Sequence, residues 1–164
     1  MAEPTPYILS RCFSQLIGRK VTFAQTTFAV DMKVRQMYGI YNLLPHETAI
    51  VVKADLPLLG SLAGALVGLP DPAVKEHLRA TPIEELLRDA MCEVLNIASA
   101  AVTTEGRAVF TKLVSDPARV DGAAGKLLQK PDHRSYFTVS VEGYQGGRFT
   151  ILSQFVPVGT GYRR

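Results

Sequence analysis

Asp89, Glu93 and Asn96 stand four and then three residues apart in the stretch TPIEELLRDAMCEVLNIASAA, residues 81–101. Residues three and four apart are neighbours on a helix surface, so these side chains fall within a sector of roughly 60°. Ala100 lies over the same sector. Carboxylates pair with cations, and an amide offers both a donor and an acceptor without any tuning of its pKa. Two acids and an amide beside a small residue make a polar strip that a second surface can approach closely. By spacing alone the strip also reads as the ordinary polar flank of an amphipathic helix. Asn96 favours a role, because Asn competes with the helix backbone for hydrogen bonds and is a poor interior residue.

Little else in the chain competes for chemistry. His46, His77 and His133 sit in expected turns or on a short helix, with no ligand-type partner at a suitable spacing. They read as surface histidines, and no metal site is expected. Cys12 and Cys92 fall on expected helices without a Cys-x-x-Cys pair or a nearby histidine, and read as reduced core thiols of a cytosolic protein. Gly143 to Gly147 is glycine-rich but joins two strands, whereas a phosphate-cradling loop joins a strand to a helix. No Ser-His-Asp or Cys-His arrangement has local support, Ser99 reads as a small helical residue, and Asp31, Asp55 and Asp71 read as capping or turn residues. The net charge of +3 is scattered apart from Arg163 and Arg164, which gives no nucleic-acid patch. The N-terminus lacks the basic and long apolar regions of a secretory signal. The longest apolar run, 56–69, is glycine-broken and shorter than the roughly 20 residues that cross a bilayer.

The strip needs a rigid seat, and the pattern around it supplies one. Ile83, Leu86, Leu87, Ala90, Met91, Val94, Ile97, Ala98 and Ala101 gather into one apolar stripe, so 81–101 is expected to be a long amphipathic helix lying on something flat. Thr81 is a natural N-cap, Pro82 suits the first position, and Glu84 completes a capping box. Upstream, residues 7–17 predict a helix stopped by Gly18, and 20–31, 35–44 and 47–53 predict three strands, with a turn near Met32 and Lys33. Residues 55–69 predict a short crossover helix with Pro57 in its first turn, and Asp71 is expected to cap a shorter helix through Leu78. Downstream, 107–114 predicts a fourth strand, 115–131 a polar connection, and 136–142 with 148–156 a hairpin.

The chain therefore reads as two helix-plus-three-strand units. Three antiparallel strands from each are expected to join in one sheet with the long helices on one face, an α+β architecture. At 164 residues and 47% hydrophobic content, 1–164 reads as one domain with a sizeable core.

Asp89-x-x-x-Glu93-x-x-Asn96, continued as Ile97-Ala98-Ser99, is similar to the signature helix of the CheC/CheX/FliY phosphatases, which dephosphorylate the chemotaxis response regulator CheY. The order of elements resembles that family over most of the chain, and implies a CheC-like fold. On the first helix the corresponding spacing holds Ser10, Ser14 and Ile17, with no Glu and no Asn, so the chain resembles a single-motif, CheX-like member. Leu95 stands where a glycine commonly precedes the motif Asn, and Ala100 replaces another common glycine. The resemblance implies Glu93 and Asn96 as catalytic residues, Asp89 and Ala100 as partner contacts, and a phosphorylated CheY-like receiver domain as substrate. It also implies Mg²⁺ supplied by that receiver, no cofactor of the chain's own, a cytoplasmic location, and a possible homodimer paired through sheet edges. A non-catalytic receiver-binding or scaffold module with the same fold is the alternative, and membrane association through 56–69 is a third reading.

Overall fold

The computed structural model describes residues 4–27, 33–45, 48–80 and 82–154. Helix α1 spans Pro6–Ile17: the Thr5 hydroxyl accepts from the Ile8 N–H, Pro6 fits the first turn, and Gly18 at φ 66° closes the helix in the left-handed conformation. Strands β1 (Val21–Thr26), β2 (Gln36–Leu44) and β3 (Thr48–Asp55) follow, then helices α2 (Leu56–Val67), α3 (Asp71–His77) and α4 (Glu85–Ile97). The second half adds β4 (Arg107–Val114), α5 (Gly122–Gln129), β5 (His133–Val141) and β6 (Tyr144–Ser153).

All six strands form one antiparallel sheet in the order β1-β5-β6-β3-β2-β4. Exchanging β1 with β4, β2 with β5 and β3 with β6 reproduces that order reversed. The two helix-plus-three-strand halves are thus related by a pseudo-two-fold axis between β3 and β6, and each half sends its first strand across to pair with the other half. Neither half can complete its sheet alone.

The main core lies between one face of the sheet and α1, α2 and α4. Phe13 of α1 meets Phe23 at 5.1 Å and Phe149 at 5.7 Å between ring centroids. Leu58, Leu59, Leu62 and Ala63 of α2 are fully buried, which accounts for the apolar run at 56–69 as core. The other face of the sheet carries a smaller cluster, in which Val120, Ala124 and Leu127 cover Tyr38, Ile40, Val51 and Leu152.

Several expectations are corrected. The stretch 115–131 is not merely a polar connection: it holds a short 3-10 turn at Pro117–Arg119 and then α5, so helices occupy both faces of the sheet. Ala124 and Leu127 are one turn apart, too short an apolar stripe to stand out in sequence. Helix α4 starts at Glu85 and ends at Ile97, followed by a 3-10 turn at Ala98–Ala100, rather than running 81–101. Thr81 lies outside the described residues; Glu84 occupies the N-cap position without a side-chain cap bond, and its carboxylate lies 2.7 Å from His77 Nδ1, a hydrogen bond when that nitrogen carries a proton. Asp71 is not the cap of α3 but its first residue, pairing with Lys75 at 2.9 Å and accepting from the Gln145 N–H. Strand β6 begins at Tyr144, so the hairpin turn is tighter than the glycine-rich stretch implied. His46, Asp31, Met32, the end of the expected first strand, residues 155–156 and the terminal arginines lie outside the described residues.

Leu95 of α4 is buried to 1% exposure, and a Cβ built on Gly39 of β2 would come within 3.0 Å of its Cδ1. Gly39→Val is expected to destabilise the fold by about 1–3 kcal/mol through overpacking. Urea denaturation of that variant, of Leu95→Ala and of the double variant is expected to show losses that do not add, because the two sites share one space.

Candidate functional site

Helix α4 is fixed to the sheet at several points. Ala90, Met91, Val94 and Leu95 are buried. The Tyr41 hydroxyl, inside the core, donates to the Leu95 carbonyl at 2.6 Å. Near the other end, Arg88 Nη2 donates to the Leu113 carbonyl of β4 at 2.8 Å. The last turn then tightens into the 3-10 segment, where the Ala101 N–H donates to the Ala98 carbonyl at 2.8 Å.

This seating rotates the helix from the expected orientation. Leu86 and Ile97, expected in the buried stripe, are 60% and 41% exposed, while Leu95, outside that stripe, is buried. The buried arc is centred roughly 30° further from the polar strip than the stripe implied. Leu86 and Ile97 become an apolar border between the strip and the core.

Asp89, Glu93, Asn96 and Ala100 are all exposed. They lie on one face, as the spacing required. Among the described residues, the side chains of Asp89, Glu93 and Asn96 enter no hydrogen bond or ion pair, so both carboxylates and the amide are open to a partner. The last turn of α4 carries no basic residue. Acids are disfavoured toward a helix C-terminus, where the backbone carbonyls concentrate negative charge. Among the described residues, no side-chain partner accounts for Glu93 at its position.

The equivalent face of α1 is used differently. Ser14 Oγ donates to the Val21 carbonyl at 3.1 Å and accepts from the Val21 N–H at 2.9 Å. Ser10 Oγ accepts from the Phe23 N–H at 2.8 Å and donates to the Pro6 carbonyl. Ile17 is buried. These side chains stitch α1 to β1 and are closed to a partner.

Between α1 and the end of α4 runs a groove of about 470 Å³, lined by Tyr7, Ile8, Cys12, Leu16, Ile97 and Ala100 among others. Tyr7 is 71% exposed and Ile8 43%. The groove shares Ala100 with the strip, so polar and apolar contact surfaces are continuous. Cys12 and Cys92 are free thiols and half-buried. Burial raises the pKa of each; at Cys92 the Arg88 charge lowers it and the Asp89 carboxylate raises it. Both are protonated and unreactive near neutral pH. Among the described residues, no group of three His, Cys, Asp or Glu side chains could hold a metal ion, and no helix is long and apolar enough to cross a membrane.

Gly39, Tyr41 and Arg88 position the strip and were not singled out in sequence, and Leu95 was noted there only for replacing a glycine. Their partners are distant in the chain, and nothing local marks a glycine on one strand as the seat of a leucine on a helix.

An antiparallel six-stranded sheet of interlocked halves, with α1, α2 and α4 packed on one face, is the CheC/CheX-type fold. Its solved counterparts include FliY of Thermotoga maritima, 16% identical over 89% of this chain and 82% of that one, with a TM-score of 0.60. The FliM middle domain of H. pylori is 14% identical over 91% of this chain and 84% of its own, with a TM-score of 0.55. The chemotaxis protein CheX of Vibrio vulnificus is 10% identical over 89% and 93% respectively, also at 0.55. No family model and no curated protein matches the chain by sequence.

Burial pushes the Tyr41 phenol far above its usual range. An unfolded tyrosine loses its proton near pH 10, whereas folded Tyr41 keeps it, so its contribution to stability is complete below about pH 10 and is lost as pH rises further. Denaturation followed against pH is expected to show a loss of stability above about pH 10 that is smaller in Tyr41→Phe. At neutral pH the same variant is expected to be about 1–3 kcal/mol less stable, through loss of the buried bond from the Tyr41 hydroxyl to the Leu95 carbonyl.

Proposed function

We propose that this chain is a phosphatase acting in trans on a phosphorylated, CheY-like receiver domain. The observation that carries the reading is the exposed Asp89, Glu93, Asn96 strip, open to a partner on a rigidly seated helix of a CheC/CheX-type fold. The fold is shared with FliY and CheX.

An aspartyl phosphate is an acyl phosphate. Its hydrolysis needs a water held in line with the scissile bond, and phosphoryl transfer depends chiefly on positioning and on stabilising charge. The Asn96 amide accepts from that water with its oxygen and donates from its nitrogen, which fixes the water's orientation. The water oxygen bonds to phosphorus as the bond to the aspartyl oxygen breaks; inorganic phosphate leaves and the receiver's carboxylate is restored. Glu93, one turn earlier, pairs with the receiver's active-site lysine and sets the register of docking. Asp89 is a rim contact, and Ala100 lets the partner approach closely. The receiver brings the phosphoaspartate and its Mg²⁺, and in this reading both proteins are cytoplasmic. The open edges β1 and β4 offer pairing surfaces for a homodimer.

A second reading is a non-catalytic docking module for a receiver or another signalling protein. The apolar groove beside the strip favours it, since that surface serves docking whether or not a water is positioned. The FliM middle domain shares the same fold.

Phosphate release from a phosphorylated receiver separates the two. Asn96→Ala is expected to lower the turnover rate by about 100-fold with little change in receiver affinity. Glu93→Ala is expected to weaken affinity by roughly ten- to a hundredfold through loss of a charge-assisted contact. Equal activity of wild type and Asn96→Ala would remove the catalytic reading. Binding without any hydrolysis by the wild type would establish the docking module.

A further inference from the structure

The face of the sheet opposite the motif helix holds a second cavity, of about 490 Å³. Its floor is a cross-strand row: Tyr38 pairs with Lys53, Lys53 with Thr150, and Thr150 with Tyr136, across β2, β3, β6 and β5. Arg134 stands two residues from Tyr136 on the same face of β5, and Leu128 at the end of α5 forms part of the wall. Side chains alternate between faces along a strand, so none of this row belongs to the main core.

The chemistry of the lining is one-sided. Lys53 and Arg134 bring two cations, and Tyr38, Tyr136 and Thr150 bring three hydroxyls; among the described residues no carboxylate lines the cavity. Neither Lys53 nor Arg134 enters an ion pair among the described residues. The carboxylate that acts on Tyr38 is that of Asp116, which already accepts from the Ala118 N–H at 2.9 Å and lies 3.9 Å from Arg119 Nε. Burial, and then Asp116, raise the Tyr38 pKa, so its hydroxyl stays a donor at neutral pH. One step along the same face of β6, Arg148 Nη1 is buried without a hydrogen-bond partner. Arg148 does not itself line the cavity, but it adds positive charge on that face of the sheet.

We propose that this cavity binds a phosphate group, with Lys53 and Arg134 as the charged contacts and the hydroxyls of Tyr38, Tyr136 and Thr150 as neutral donors. The apolar wall at Leu128 and Leu152 leaves room for a small organic body carrying that phosphate. The site is independent of the α4 strip, on the other side of the sheet, and stands whether or not that strip is catalytic.

The test is a two-dimensional NMR titration of the whole protein with AMP, inorganic phosphate and adenosine, each at millimolar concentrations. AMP, and inorganic phosphate more weakly, are expected to give saturable shifts at Tyr38, Lys53, Arg134, Tyr136 and Thr150, and adenosine none. Inorganic phosphate binding as tightly as AMP would assign the site to free phosphate; tighter AMP would assign it to a phosphate ester. Lys53→Met and Arg134→Gln, each first shown folded by an unchanged spectrum elsewhere, are expected to weaken binding by roughly tenfold or more. The proposal is overturned if neither anion gives saturable shifts in this row, if adenosine binds as well as AMP, or if both variants bind like the wild type.

Discussion

The seat of α4 on β2 is the constraint on which the rest depends. Gly39 leaves a space that Leu95 fills, and the Tyr41 hydroxyl, two residues along the same strand, holds the carbonyl of that leucine at 2.6 Å. These contacts set the rotation of the helix as well as its position. With Leu95 turned inward, Asn96 must turn outward, and Glu93 and Asp89 follow at helical spacing. Leu95 is therefore accommodated by a glycine on the facing strand. The exposed amide is a consequence of the core beneath it.

The pseudo-two-fold makes the division of labour between the halves visible. Both halves place a helix beside their first strand, and in each the outward flank is polar. In the first half the serines of α1 are spent on the backbone of β1, with both the N–H and the carbonyl of Val21 bonded to Ser14. In the second half α4 is held by buried contacts and by Arg88, which leaves its polar residues uncommitted. The difference is one of hydrogen-bond accounting. The two serines that fasten α1 to β1 are not open to a partner.

Much of this was legible from residue types alone. The helix at α1, the strand groups, the short crossover helix at 55–69 and the two-unit plan follow from turn residues and from periods of two and 3.6, and the structure bears them out. The spacing of Asp89, Glu93 and Asn96 was enough to place them on one face. What was not legible has a common physical cause: it depends on contacts distant in sequence. The expected stripe ran through Leu86 and Ile97, and the contacts of Gly39 and Tyr41 with Leu95, distant in sequence, turn the helix away from it. Helix α5 fully buries just Ala124 and Leu127, a pattern too short to distinguish from a loop. Glu84 was a plausible capping residue until the fold brought His77 beside it.

The central claim is that the α4 strip is the surface a receiver domain meets. Backbone NMR of the labelled protein, titrated with a receiver domain held in its activated form by beryllofluoride and Mg²⁺, tests it most directly. The expected result is a saturable set of shifts confined to Asp89, Glu93, Asn96, Ile97, Ala100 and the adjoining face of α1, with the row on the opposite side of the sheet unmoved. Shifts centred on that opposite face or on the sheet edges, with the strip unaffected, would contradict it.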